Sequence, residues 1–320
     1  MRTERYLLIP VALVCGIAFQ GRSEGQTFNE LLDYPPTAKS VSMAGAVSSL
    51  AGDHSAVVYN PATLGFAKTR ELRATIALRP SDLYHDKVLV SAGVIHPVTE
   101  PAVIGAQFAY LAESEGQAGV PRGYSAIGRV SCGVRLARDV SVGASAEFVH
   151  DAMAWWFHGG PVDPVVVRAS SWGLDASVLC KMPTFNLGLS VLNLGPDITY
   201  TRLREFGRSE AIRIGASVTP LQMNVHELTL GTDVSWVLND YGDRDWPLNL
   251  GAEYDMLGTL SLRGGYFWEA SDRDGFGVGG GLTAFDWISA DFAARILDYE
   301  YDTKPEYYLT VTVIPSVISK

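Results

Sequence analysis

The stretch "YSAIGRVSCGVRLARDVSVGASAEF", Tyr124–Phe148, decides the fold. Its period is two. Tyr124, Ala126, Gly128, Val130, Cys132, Val134 and Leu136 share one side, while Ser125, Ile127, Arg129, Ser131, Gly133 and Arg135 share the other. Ala137-Arg138-Asp139 interrupts the run. Val140, Val142, Ala144, Ala146 and Phe148 then alternate with Ser141, Gly143, Ser145 and Glu147. Successive side chains of a strand point to opposite faces, so this is a hairpin with one apolar and one polar face.

The pattern recurs to the C-terminus. Trp172, Leu174, Ala176 and Val178 oppose Gly173, Asp175 and Ser177, and Leu260, Leu262 and Tyr266 oppose Ser261 and Arg263. Read throughout, the alternation predicts roughly fourteen strands, most about nine to eleven residues long, the length at which a tilted strand crosses a bilayer. The spans are 70–79, 88–96, 102–111, 124–136, 140–150, 170–182, 185–194, 211–219, 226–236, 247–255, 260–268, 275–284, 287–296 and 306–314.

Alternation alone fits a soluble sandwich as well as a membrane barrel. The connections separate the two. Short turns (97–101, 137–139, 183–184, 220–225, 256–259, 285–286) alternate with longer loops (112–123, 151–169, 195–210, 237–246, 297–305). Outer-membrane barrels keep that parity, and the crossings of a Greek-key sandwich would scramble it. The reading is therefore all-β, an antiparallel transmembrane β-barrel. Its polar face, with Arg129, Arg135, Glu147, Asp175 and Arg263, turns to the lumen. Small inward residues leave room for an apolar gap near Ile127, Val149 or Leu179.

Composition agrees. The 320 residues include 32 Gly and only 19% charged residues, as suits close strand packing and many turns, and the net charge of −10 argues against nucleic acid. Arg2 and Arg5 precede an apolar Tyr6–Phe19 run too short to span a bilayer, and Ser23-Glu24-Gly25 offers a cleavage site. Residues 1–25 thus read as a Sec-type export signal, 26–69 as a segment of small residues and 70–320 as the barrel. Cys132 and Cys180 could pair, but their spacing does not demand it.

The segment before the first strand carries Lys39-x-x-x-Met43, Gly45-Ala46, Asp53, Ala56 and Asn60-Pro61-Ala62-x-Leu64. With "LGLSVLNLGP" from Leu187, "IRIGASVTP" from Ile212, "LNLGAEY" from Leu248 and "LSLRGGY" from Leu260, it resembles the PorV/PorQ family of FadL-like outer-membrane barrels. The resemblance implies fourteen strands, a lumen plug at the N-terminus, and a place in the outer membrane of a Gram-negative-type bacterium. Met43, Gly45, Asp53, Asn60, Pro61 and Ala62 would form the plug motif. Asp53 would meet a lumen arginine such as Arg129 or Arg135, and Asn60-Pro61 would turn the chain into the first strand. Two departures stand out. Ala44 occupies a position where the family usually has glycine, and the chain does not end on an aromatic residue, for which Tyr308 is a candidate substitute.

No catalytic residue is expected. The chain lacks a Gly-x-Ser-x-Gly elbow, Cys-x-x-Cys, His-Glu-x-x-His and a phosphate loop, and alternation puts Ser145 and His150 on opposite faces. No metal site or cofactor is expected, and Asn239–Asp243 reads as a solvated loop. Trp155, Trp156 and Phe157 form an aromatic cluster in the longest predicted loop, either a capture surface or part of an interfacial girdle. Outer-membrane lipid is the expected surrounding. Three functions stay open: passage or binding of a hydrophobic small molecule; docking of exported proteins, as the resemblance implies through the type IX secretion system; and a structural barrel without a ligand.

Overall fold

The apolar face of the Tyr124–Phe148 hairpin points away from the protein. Val130, Leu136 and Phe148 are 64%, 65% and 57% exposed, while Ser125, Arg129, Ser131, Ser145 and Glu147 are buried. A soluble sandwich would show the reverse. Exposed apolar side chains recur on every barrel strand, among them Ile76, Val90, Phe148, Ile214, Leu250, Leu262, Val278, Phe292 and Leu309. A belt of that extent belongs in lipid.

The computed structural model describes residues 31–32, 34–79, 86–113, 123–155, 165–201, 205–238, 246–268, 274–285, 287–297 and 305–315. The predicted export signal, the Asn239–Asp243 loop, Trp156 and Phe157 lie outside the described residues. The strands are β1 (Glu71–Arg79), β2 (Lys87–Pro97), β3 (Ala102–Glu113), β4 (Tyr124–Ala137), β5 (Val140–Trp155), β6 (Val165–Lys181), β7 (Phe185–Leu194), β8 (Ile198–Thr199), β9 (Glu205–Phe206), β10 (Ala211–Gln222), β11 (His226–Val237), β12 (Leu248–Met256), β13 (Leu260–Trp268), β14 (Gly275–Ala284), β15 (Ile288–Leu297) and β16 (Glu306–Val313). All but β8 and β9 form one closed barrel of fourteen strands, each antiparallel to its chain neighbours. Closure pairs β1 with β16, from Leu72↔Val313 to Leu78↔Tyr307, so the barrel has no edge strand.

Three differences from the sequence reading matter. β5 and β6 run on to Trp155 and back from Val165, ending on the ladder pair Trp155↔Val165, where a loop was expected over 151–169. The β-branched run Val165–Val167 favours that extension. Trp155 is thus the last residue of a strand. Second, the connection expected over 195–210 contains the small β8–β9 sheet. Third, Tyr308 is buried at 1% exposure and faces inward; Tyr307 is the aromatic residue on the lipid face. Tyr308, the candidate substitute for a terminal aromatic, thus lies on the lumen face.

Candidate functional site

The lumen is filled in three layers. The layer nearest the short turns is the chain's own N-terminal segment. A five-residue helix, α1 (Ala38–Ser42), starts at Thr37, whose hydroxyl accepts from the Ser40 amide at 3.0 Å. Two 3₁₀ turns follow, His54–Ala56 capped by Asp53 and Pro61–Phe66 capped by Asn60. Asn60 accepts from the Ala62 amide at 3.0 Å and donates to the Ser48 carbonyl at 2.8 Å. The segment bonds to strands around the whole circumference. The Ala38 amide donates to Thr310 Oγ1 at 2.8 Å and the Ser48 amide to Asp233 Oδ2 at 3.1 Å; the Ala62 amide donates to Ser177 Oγ at 2.9 Å and its carbonyl accepts from Ser141 Oγ at 2.7 Å. These bonds reach β16, β11, β6 and β5.

Inward glycines make the room. A Cβ at Gly143 would stand 2.2 Å from the Ala62 nitrogen, and one at Gly277 would stand 2.1 Å from the Val41 carbonyl oxygen. Met43, Pro61 and Ala62 are buried here, and Gly45 sits at φ +80°. Its neighbour Ala44 takes φ +52°, in the left-handed region that disfavours a Cβ.

Charge ties this segment to the wall. Lys39 Nζ lies 2.7 Å from Asp53 Oδ2 and 2.6 Å from Glu253 Oε2. Glu253 Oε1 accepts from Arg263 Nε at 2.7 Å, and Arg263 Nη1 reaches Asp291 Oδ1 at 2.6 Å. Burial alone would push the Asp53 carboxyl up, but the Lys39 ammonium overrides it and holds the group well below the usual carboxylate range. Burial opposes the charged form of Lys39 too, and Asp53 and Glu253 together hold its ammonium well above the usual lysine value. The partner of Asp53 is thus Lys39, not Arg129 or Arg135.

The middle layer is a buried ion cluster on β4, β5 and β6. Arg129 donates through Nε to Glu147 Oε2 at 3.0 Å and lies 3.6 Å from Asp175 Oδ2. Arg208, from the connection between β7 and β10, pairs with the other Glu147 oxygen. Arg135 stands apart at the short-turn rim, partly exposed, with Glu100 at 3.8 Å. Of the five lumen residues expected, the structure therefore joins Arg129, Glu147 and Asp175 in one cluster and places Arg263 in another.

The third layer, toward the long loops, is apolar. Leu89, Leu111, Ile127, Val149, Val167 and Tyr308 point inward from the strands and pack with Ile198 and Tyr200 of the β7–β10 connection and with Leu31, Leu32 and Tyr34 of the N-terminal segment. The apolar site expected near Ile127 and Val149 is this layer, whereas Leu179 packs lower down against Ala62 and Phe66. Two of its tyrosine hydroxyls are paired. Tyr200 donates to Asp151 Oδ2 at 2.6 Å and Tyr308 to Glu306 Oε2 at 2.9 Å, while Arg79 and Arg295 hold Glu306 at 2.7 and 2.6 Å.

Below this layer the β1–β4 wall is thin. An inner cavity of about 20 Å³ beside His54 and Glu71 and a lipid-facing groove of about 660 Å³ over Ala74, Ala92 and Gly128 share Arg73, Gly93 and Gln107. The β2–β3 ladder between them is unbroken. Ser145 faces inward, and His150 instead bonds Ser170 Oγ at 2.8 Å across β5–β6 on the outer face. Cys132 and Cys180 are free thiols. Among the described residues no group of three potential metal ligands comes together.

Fold and lumen define an outer-membrane-type barrel of the FadL architecture. The structure is similar to the CymD monoaromatic hydrocarbon channel (12% identity, covering 90% of this chain and 99% of that chain, TM-score 0.67). It is also similar to the Ralstonia pickettii toluene transporter TbuX (12% identity, 88% and 98%, TM-score 0.65) and to a Pseudomonas aeruginosa FadL homologue (12% identity, 87% and 98%, TM-score 0.57). At that identity the likeness concerns the fold. No family model and no curated protein sequence matches the chain.

Proposed function

We propose that this protein is an outer-membrane channel for a hydrophobic small molecule, with residues 31–68 as its lumen plug and the apolar layer as its solute site. The carrying observation is that layer. The inside of a membrane barrel is ordinarily polar, and an inward-facing set of Leu89, Leu111, Ile127, Val149 and Val167 has no use in holding water. Apolar walls with a few fixed polar groups are what a small apolar ligand requires. Leu31, Leu32 and Tyr34 occupy the place a solute would take, so binding exchanges the chain's own side chains for the ligand. Fold-level analogy adds that the similar structures include a toluene transporter and a monoaromatic hydrocarbon channel.

The proposal extends to a Sec-exported chain surrounded by outer-membrane lipid. The test is uptake of labelled toluene by proteoliposomes, with and without Ile127→Trp/Val149→Trp to fill the layer. Protein-dependent uptake that the double variant abolishes supports the channel. No uptake, together with exported proteins recovered on the protein from native membranes, would replace it with the docking function.

A further inference from the structure

The middle layer has one member that the wall does not supply. Arg208 reaches it from the β7–β10 connection and is fully buried. Its Nε–H donates to the Asn193 carbonyl at 2.8 Å, Nη1–H to Ser171 Oγ at 3.0 Å, and Nη2–H to the Glu147 carboxylate. Gly173 on β6 provides the space, since a Cβ there would stand 2.3 Å from Nη2. At the other end of the connection Asn193 adopts φ +60° and turns the chain off β7. Its amide donates to Asp175 Oδ1 at 2.8 Å and its side chain to the Ser209 carbonyl at 2.9 Å. Both ends of the connection are thus fastened to one ion cluster.

Between those ends the chain enters the apolar layer with Ile198 and Tyr200. It also covers an unpaired strand edge. Pairing of β6 with β7 stops at Leu174↔Leu194, so the upper part of β6 has only β5 beside it. Thr201 takes the vacant side. Its amide donates to the Arg168 carbonyl at 2.9 Å and its hydroxyl accepts from the Arg168 amide at 3.1 Å.

We propose that Arg208 is the positioning residue of the solute site: it seats the β7–β10 connection as a removable ceiling whose Ile198 and Tyr200 set the space a solute can fill. The inference rests on the reading of the apolar layer as that site. Two guanidinium groups, Arg129 and Arg208, balance two carboxylates, Glu147 and Asp175. Withdrawing one guanidinium leaves a buried negative charge uncompensated, so the seat is strong and specific to arginine. The links farther along the connection are the two Thr201–Arg168 bonds near the long-loop rim, which water can replace, and the Tyr200 hydroxyl on Asp151.

The test uses detergent-solubilised full-length protein carrying Cys132→Ser and Cys180→Ser. Arg208→Ala, with the barrel intact by its heat-modifiable gel mobility, should speed hydrogen exchange at the Thr201 amide by about tenfold or more. It should raise the association and dissociation rates of naphthalene together, so that Kd moves much less than either rate, and Arg208→Lys should recover part of the slowing. A residue that only stabilises the barrel would change neither rate in this paired way. A Thr201→Cys/Arg168→Cys tether should block naphthalene association until a reductant is added. Unchanged Thr201 exchange in Arg208→Ala, or wild-type association in the oxidised tether, overturns the proposal. Wild-type protein that binds no naphthalene refutes the solute reading, and Thr201 exchange then still decides whether Arg208 seats the connection.

Discussion

Gly143→Ala adds one methyl group where the backbone of the N-terminal segment packs directly on the wall. The new Cβ would lie 2.2 Å from the Ala62 nitrogen and 2.3 Å from the Pro61 carbonyl carbon. Both are backbone atoms, so no side-chain rotation relieves the clash, and the Asn60–Ala62 turn must move by about an ångström to restore van der Waals contact. That shift breaks the Ala62 bonds to Ser177 and Ser141, at 2.9 and 2.7 Å. Two hydrogen bonds at about 1 kcal/mol each and an overpacking cost of about 1–3 kcal/mol give about 3–5 kcal/mol against the seated segment. The barrel ladder is untouched, because residue 143 keeps its place between Gly133 and Ser177. Gly128→Ala is the control: nothing lies within 4 Å of its added Cβ. Limited proteolysis with the barrel monitored by heat-modifiable mobility reads the result. Cleavage within 31–68 should appear in Gly143→Ala and not in Gly128→Ala. Equal protection of both variants would refute the reasoning.

Leu174→Arg puts a charge on the lipid face of β6 and should cost about 2–4 kcal/mol near the midplane, seen as loss of the folded, heat-modifiable species. Lys39→Met leaves Asp53 without its partner and should weaken seating of the segment by about 2–3 kcal/mol, seen as protease cleavage before the barrel unfolds. Because the Asp53 pKa is depressed on folding, its contribution is complete above the ordinary aspartate value near pH 4 and declines as pH falls through its lower folded value. Lys39, raised on folding, contributes fully below its ordinary value near pH 10 and loses that contribution only above it. Protease protection of the wild type should therefore be flat from about pH 5 to 9 and fall in acid, and Lys39→Met should abolish the acid step. Ala44→Gly relieves a left-handed alanine and should stabilise the segment by about 0.5–1 kcal/mol, measured as slower cleavage.

The barrel was legible because its signal is local. Each strand carries its own alternation, and the inward set Ser125, Arg129, Glu147 and Asp175 follows from period two alone. The extension of β5 and β6 was not, because nothing in 151–169 marks where pairing yields to loop until the partner strand is known. Arg208 was missed for a different reason. It lies in an irregular connection with no periodicity, and only the turn at Asn193 carries it into the lumen. The Lys39–Asp53 pair did leave a trace. Lys39 and Asp53 are the only Lys, Arg, Asp or Glu residues between 38 and 66, and two opposite charges in a stretch that must be buried need each other. The apolar layer was half visible in Ile127 and Val149, while its floor of Leu31, Leu32 and Tyr34 comes from a segment without strand pattern.

A crystal structure of the protein grown with bromobenzene tests the central claim most directly, because the bromine atom locates the ligand by its anomalous signal. The account predicts a bromine peak inside the barrel among Ile127, Val149 and Tyr200, with Leu31, Leu32 and Tyr34 displaced from their present positions. Bromine found only on the lipid-facing belt, with the apolar layer packed as it is now, would contradict it.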